Sequence, residues 1–353
     1  MTVLKLGSLF DGIGVFPLAA VHCGIEPVWA SEIEARPISI TRRHFPDMLH
    51  LGDITKISGA EVPPVDVITF GSPCQDLSQI GTRNGFAGKK SSLFYQAMRI
   101  IEEMRYATNG RYPAFCIWEN VAGAFSSNDR LDFAAMLSAF TGAEVSVPPR
   151  GWAHAGMVRG GCADTAWRLL DAQYWGEPAL VQRRKRVFVV ADFAGQRAGE
   201  VLFKPRTVLP FSSIGGPGGL SATQRGGVPA AQTGRQVPII RPFSLRRMRT
   251  MAQVGDQKGF CASFGRGGEP FPTLLASVTA PFSFWYEGEE QDGFLRVLTP
   301  LECERLMGLP ENWTKYGCKD EEISDHARYR ALGNSIALPC AEYVMAGIAE
   351  VMN

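Results

Sequence analysis

No apolar run in this 353-residue chain approaches the roughly 20 residues that a bilayer-spanning helix needs, so no membrane span is expected. The opening residues, MTVLKLGSLF, lack the basic segment, apolar stretch and small-residue cleavage site of a secretory signal, and a cytoplasmic location is expected. Paired cysteines are missing too. The eight cysteines lie scattered at Cys23, Cys74, Cys116, Cys162, Cys261, Cys303, Cys318 and Cys340, with no C-x-x-C and no clustered Cys/His set. Neither a disulfide framework nor a metal site is read from that spacing. An excess of charge of one sign is also absent: 36 basic against 35 acidic residues leave +1. Total charge therefore says nothing about a nucleic-acid partner, and only local clusters can. Two exist: Arg183, Arg184, Lys185 and Arg186 run together, and Arg235, Arg241, Arg246, Arg247 and Arg249 crowd a second stretch.

The length suits two folding units. From Val3 to about Asp192, short apolar runs alternate with helix-like stretches, the pattern of a parallel sheet flanked by helices. The predicted strands are Leu4–Phe10, Pro27–Ser31, Val65–Phe70, Ala114–Glu119 and Arg186–Ala191. Ligands of open α/β sheets sit at the carboxyl ends of strands, so the residues just after these runs are the candidate site. Between about Ala194 and Gly293, glycine and proline become frequent and no helical period persists, which predicts an irregular or β-rich region. Helical spacing resumes at Thr299–Met307, where Thr299 and Glu302 form a capping-box pattern, and at Ala341–Val351.

Four short segments carry chemistry. LFDGIG (Leu9 to Gly14) closes the first strand with glycines that let a ligand approach the backbone; a bare tight turn has the same look. Glu32 ends the second strand, where a carboxylate can accept from ribose hydroxyls, and Asp53 in LGDIT could reach an adenine amino group. Either carboxylate could equally be solvated or cap a helix. GSPCQ puts Cys74 in a polar turn at a strand end, where a thiolate is accessible, although most cysteines are buried small hydrophobes. The segment after it, from Gln75 to Ser92, has the small and polar residues of a closing loop. WENV places Glu119 at the end of an apolar strand. Burial there would raise its proton affinity, and the alternative is a structural carboxylate bonded to backbone amides. QRRKRVF sets Arg184 and Arg186 on one face of an extended segment, to hold a base carbonyl or phosphates, or as a solvated charge run.

The order FDGIG, SEIE, GDIT, PCQ, ENV, QRRKR, then RVLTPLECERLMGLP and RALGNSIALP, resembles the DNA cytosine-5 methyltransferase family over nearly the whole chain. The resemblance implies an α/β, Rossmann-like, mostly parallel catalytic domain over 1–193 and a smaller irregular or β-rich target-recognition domain over 194–295. A segment over 296–353 returns to complete the first. It implies transfer of methyl from S-adenosylmethionine to carbon 5 of a flipped cytosine in a short duplex sequence, with S-adenosylhomocysteine as product and no metal. Cys74 is then the nucleophile, Glu119 acts at ring nitrogen 3, and Arg186 and Arg184 hold the base oxygen. Cofactor contacts fall on Phe10, Gly12, Gly14, Glu32, Ile33, Asp53, Pro73, Leu93, Asn334 and Ser335. DNA contacts fall on Gln75, Ser78, Arg83 and Gln182. Ile33 stands where some relatives place an aromatic, so adenine stacking is weaker, and three extra residues precede the arginine motif. The resemblance further implies a monomer acting on double-stranded DNA in restriction-modification or DNA protection, with any cognate endonuclease a separate protein. A tRNA methyltransferase shares the framework, but its Cys-Phe-Thr tripeptide is missing here.

Overall fold

The computed structural model describes residues 3–72, 93–204, 239–242, 271, 273–274, 282–286 and 293–353. The chain divides into two units, Met1–Leu170 with Lys185–Thr207 and Ala341–Asn353, and Asp171–Arg184 with Val208–Cys340.

The first unit is built on the expected sheet. Its strands are β1 (Lys5–Leu9), β2 (Glu26–Ser31), β3 (Leu49–His50), β4 (Val67–Phe70), β5 (Phe115–Val121), β6 (Ala155–Arg159), β7 (Asp164–Asp171) and β8 (Lys185–Asp192). They lie in the order β3-β2-β1-β4-β5-β8-β7-β6. The run from β3 to β5 is parallel, β8 turns antiparallel to β5, and β6 pairs antiparallel with β7. VITF in β4 is buried throughout and FCIWEN in β5 likewise. Helices covering both faces of a parallel sheet explain why these strands are continuous apolar runs and not alternating ones. β3, β6 and β7 were not predicted: β3 is two residues long, and β6 alternates exposed with half-buried positions on the sheet's edge.

The helices α1 (Val15–His22), α2 (Ala35–His44), α3 (Leu93–Ala107), α4 (Leu131–Thr141) and α5 (Ala198–Leu202) follow in chain order. An aromatic cluster locks α3 and α4 onto the sheet. Phe94 of α3 meets Phe70, Trp118 and Phe140 with ring centroids 5.9, 6.3 and 5.8 Å away, and Trp118 packs on Phe133 at 6.4 Å. Such contacts add about 0.5–1.5 kcal/mol per pair to the area buried, and here they hold the ends of β4 and β5 side by side. The chain's last residues rejoin this unit. His22 Nδ1 lies 2.6 Å from Glu342 Oε1, and Arg168 Nη1 donates to Tyr343 Oη at 2.8 Å.

In the second unit the antiparallel strands β9 (Ile239–Pro242), β10 (Phe282–Tyr286) and β11 (Gly293–Val297) form a sheet in the order β11-β10-β9. Helix α6 (Pro300–Leu306) opens with the predicted capping box: Thr299 N donates to Glu302 Oε2 at 2.8 Å and Glu302 N to Thr299 Oγ1 at 3.3 Å. α7 (Asp325–Asn334) follows, and α8 (Leu338–Met352) ends the chain. Glu304 of α6 is fully buried, but every lone pair it needs is met. It accepts from Arg328 Nη2 at 3.0 Å, Asn312 N at 2.8 Å, Thr314 N at 2.9 Å and Thr314 Oγ1 at 2.5 Å. The division places 296–340 with this unit, whereas the motif reading assigned all of 296–353 to the catalytic domain. Among the described residues no single helix is long and apolar enough to cross a membrane, no disulfide forms, and no Cys/His/Asp/Glu cluster has metal-ligand spacing.

Candidate active site

The chain leaves β1 through a run of left-handed backbone: Phe10, Gly12 and Gly14 have φ of 54°, 59° and 78°. Glycine takes such values freely, but Phe10 does so under strain that its surroundings must offset. The turn is tied to the end of β2. Asp11 N donates to the Ser31 carbonyl at 3.0 Å and Gly12 N to Glu32 Oε2 at 3.0 Å. Glu32 Oε1 meanwhile accepts from the amides of Ile33 (2.7 Å) and Glu34 (3.0 Å). A carboxylate offers about four lone pairs, so these amides orient Glu32 and still leave it capacity for a hydroxyl. Beside it Ile33 is 72% exposed, an apolar surface open to a ligand. Asp53 caps the short helical turn after β3, accepting from Thr55 N at 2.9 Å and Thr55 Oγ1 at 2.8 Å. These bonds hold its carboxyl below the usual range. The capping alternative is therefore met by these bonds. Leu93 opens α3, half-buried against the core.

A second constellation stands where β4 and β5 end. Glu119 is 8% exposed, and Arg186 Nε of β8 lies 3.0 Å from its Oε1. Its neighbours reach the other way: Trp118 Nε1 donates to Ser72 Oγ at 3.1 Å and Asn120 Nδ2 to the Ser72 carbonyl at 2.9 Å. Gly71 is packed so close that a Cβ there would stand 3.2 Å from Glu119 Oε2. Trp118 and Asn120 of β5 therefore hold Ser72, with Glu119 between them standing beside Gly71, and these two residues precede Pro73 and Cys74 in the sequence. Pro73, Cys74, Gln75, Ser78 and Arg83, with the rest of the expected closing loop, lie outside the described residues, as does most of the 194–295 region.

The arginines separate. Arg186 of β8 faces Glu119 across the end of β5. Arg184 corrects the expectation that both would serve a base. It is 1% exposed in the second unit, and its guanidinium donates to the carbonyls of Leu274 (2.9 Å), Gly333 (2.9 Å) and Ser335. Its amide is held by Asp171 Oδ1 at 3.0 Å. It staples this segment to the end of α7, the residues expected to touch cofactor through Asn334 and Ser335. Gln182 is fully buried in the same unit, and its side-chain amide has no hydrogen-bond partner. The solvated side of the extended stretch belongs to Arg183 and Lys185.

Residues 4–204 and 242–350 match the sequence profile of the C-5 cytosine-specific DNA methylases. The chain belongs to that family. The chain is 26% identical to the type II methyltransferase M1.ScrFI of Lactococcus lactis subsp. cremoris, over 99% of its own length and 78% of the relative's. It is 24% identical to a protein of Escherichia phage P1 named DNA N-6-adenine-methyltransferase. That match takes in 98% of this chain but only 61% of the phage protein, less than two thirds. Among solved structures, S. pombe Dnmt2 superposes with a TM-score of 0.60 over 99% of each chain at 16% identity, a likeness of fold. The quoted motifs contain two side chains whose parts no spacing revealed: Trp118 and Asn120. Each sits inside a segment picked out for a neighbour, and a polar residue flanking a candidate catalytic group at a strand end was the available signal.

Proposed function

We propose that this DNA methylase transfers methyl from S-adenosylmethionine to carbon 5 of a flipped cytosine in duplex DNA, through a transient covalent bond from Cys74. The observation that carries the reading is the hold of Trp118 and Asn120 on Ser72, which keeps the carboxylate between them, Glu119, beside Gly71 at the start of the cysteine turn. Cytosine carbon 5 is a poor nucleophile until a thiolate adds to carbon 6. That addition puts negative charge on the ring, so a group able to hydrogen-bond or protonate nitrogen 3 lowers the barrier, and Glu119 has that role. Arg186 supplies donors to the base oxygen. Loss of the carbon-5 proton then allows elimination of the Cys74 thiol.

The cofactor supplies an electrophilic methyl when bound. The turn fits it: left-handed glycines leave backbone open at a strand end, Glu32 is oriented with capacity to spare, and Ile33 offers an exposed apolar face. Flipping the base takes a few kcal/mol of unpairing and unstacking, and Gln75, Ser78, Arg83 and Gln182 are assigned to DNA. The region 194–295 is assigned to target recognition between the catalytic segments 1–193 and 296–353. We further place the enzyme in the cytoplasm as a monomer in DNA protection, with any endonuclease separate.

The test is transfer of labelled methyl to duplex DNA and to tRNA by the intact protein and by Cys74→Ser, with the modified base identified by nucleoside chromatography. Label in 5-methylcytosine of DNA, lost in the variant, supports the proposal. Label in N6-methyladenine or in tRNA, or transfer that survives Cys74→Ser, overturns it.

A further inference from the structure

The turn that carries Asp53 is fastened on both sides, and one fastener lies outside every motif quoted above. Before Asp53, Ser31 Oγ of β2 donates to the Gly52 carbonyl at 2.6 Å and Leu51 N to the Ala30 carbonyl at 2.8 Å. After it comes the helical turn Ile54–Lys56, only three residues long. So short a helix leaves carbonyls without partners of its own. Arg99 of α3 supplies them: Nη2 donates to the Ile54 carbonyl at 3.0 Å and Nη1 to the Ile57 carbonyl at 2.8 Å. The guanidinium is aimed by its own helix, with Nε donating to Gln96 Oε1 at 2.9 Å and Nη1 lying 2.9 Å from Glu103 Oε1. Glu103 Oε2 also accepts from Gly59 N at 2.7 Å. Backbone meets backbone here, since a Cβ on Gly59 would collide with the Ile100 carbonyl. Asp53 itself takes both Thr55 bonds on Oδ1, which leaves Oδ2 for a donor from outside. Its carboxyl is open to solvent in the turn after β3, at the carboxyl end of a parallel strand, where such sheets receive ligands. A carboxylate only accepts, so the group that completes it carries an N–H or O–H.

We propose that Arg99 is a positioning residue for ligand selection: it fixes the turn behind Asp53 so that the carboxylate meets the amino group of the cofactor's purine. The inference rests on the cofactor reading above, in which Asp53 contacts the adenosyl group, and adds to it a residue from α3. A hydrogen bond weakens steeply with a small change of distance or angle, whereas apolar contact with Ile33 changes slowly with the same displacement. A turn released from α3 therefore loses its preference for the amino group before it loses its general hold on the ligand. Lysine is no substitute. It keeps a charge beside Glu103, but a single ammonium replaces a planar fork that spans two carbonyls.

The experiment is calorimetric titration of the full chain with S-adenosylhomocysteine and with the same compound carrying hydrogen in place of the purine amino group. Wild type is expected to prefer the amino compound about tenfold or more, the worth of one hydrogen bond to a charged acceptor. Arg99→Lys is expected to bring the two affinities within about threefold, by weakening the amino compound alone. Asp53→Ala closes a double-mutant cycle: it lowers the ratio by itself, and adding Arg99→Lys lowers it no further. A purely structural arginine would weaken both compounds alike, so an unchanged ratio in Arg99→Lys overturns the proposal. A further fall in the ratio on top of Asp53→Ala overturns it as well. Should Arg99→Lys fail to fold, Glu103→Gln decides, because it removes the charge that aims the guanidinium and keeps an amide oxygen for Gly59 N. It must lower the ratio about twofold, and a wild-type ratio there overturns the assignment. Equal binding of the two compounds by wild type overturns this inference and leaves the cofactor reading standing. Failure of wild type to bind either compound removes that reading, and this inference with it.

Discussion

The two ends of the candidate site, both in the first unit, are held by different means. The turn after β1 is shaped by main chain: left-handed φ at Phe10, Gly12 and Gly14, and amides gathered on Glu32. The wall at β5 is shaped by side chains: indole and amide on Ser72, guanidinium on Glu119. Backbone shaping suits a ligand that must come and go, because it leaves a surface of polar groups with no side chain in the way. Side-chain bracing suits a nucleophile and its partner, whose separation must hold within a fraction of an ångström while bonds form.

The largest effect should come from the wall. Glu119→Gln is expected to lower methyl transfer about a hundredfold or more, a loss larger than the destabilisation that follows from leaving Arg186 without its partner, and thermal melts measured beside the rate separate the two. A variant that keeps wild-type rate would show that the wall is only structural. Next comes Asn120→Ala, which leaves the buried Ser72 carbonyl without its donor. A loss of about 1–3 kcal/mol by denaturant unfolding is expected, with a fall in turnover at unchanged cofactor affinity. Weakened cofactor binding in that variant would erase the distinction between the two ends.

The turn has its own tests, and the first runs the other way. Ligand-free protein is expected to be stabilised by Asp11→Asn. Its carboxyl titrates about 7 when folded but near the ordinary 3.8 when unfolded, so the unfolded chain binds fewer protons between these values. Stability is therefore lost as pH rises from about 4 towards 7, and removing the charge restores about 1–3 kcal/mol at pH 8 and nearly nothing at pH 4. Thermal melts at the two pH values read the difference, and a uniform shift would refute its electrostatic origin. The smallest effect belongs to Gly14→Ala. At φ 78°, with Phe45 and Thr41 carbons 3.1 and 3.2 Å from the new methyl, it should lose about 1–2 kcal/mol and weaken cofactor binding more than turnover.

Much of this was legible beforehand where a strand is long, buried and ends in an unusual turn. Each of the five predicted strands has its counterpart in the sheet, and the Thr299–Glu302 box caps its helix as expected, because these features depend on neighbours along the chain. β3 and β6 escaped because a two-residue pairing and an exposed edge carry no hydrophobic period. The pairing of the two arginines was misjudged, through Arg184. Spacing by two puts both on one side of an extended segment, yet Arg184 closes on carbonyls of Leu274, Gly333 and Ser335 while Arg186 meets Glu119.

By itself the sequence determined the class of fold, the order of its motifs and the chemical groups available: a thiol, a carboxylate, guanidiniums and a glycine turn. Only the tertiary structure decided which of these meet. Asn120 and Ser72 are 48 residues apart and Arg184 and Ser335 are 151 apart, so their contacts arise when whole strands and helices pack. The same holds for Asp11. Its burial, and hence its raised proton affinity, comes from β1, Glu32 and α2 closing around it together, and a carboxylate's environment is a property of every element that surrounds it.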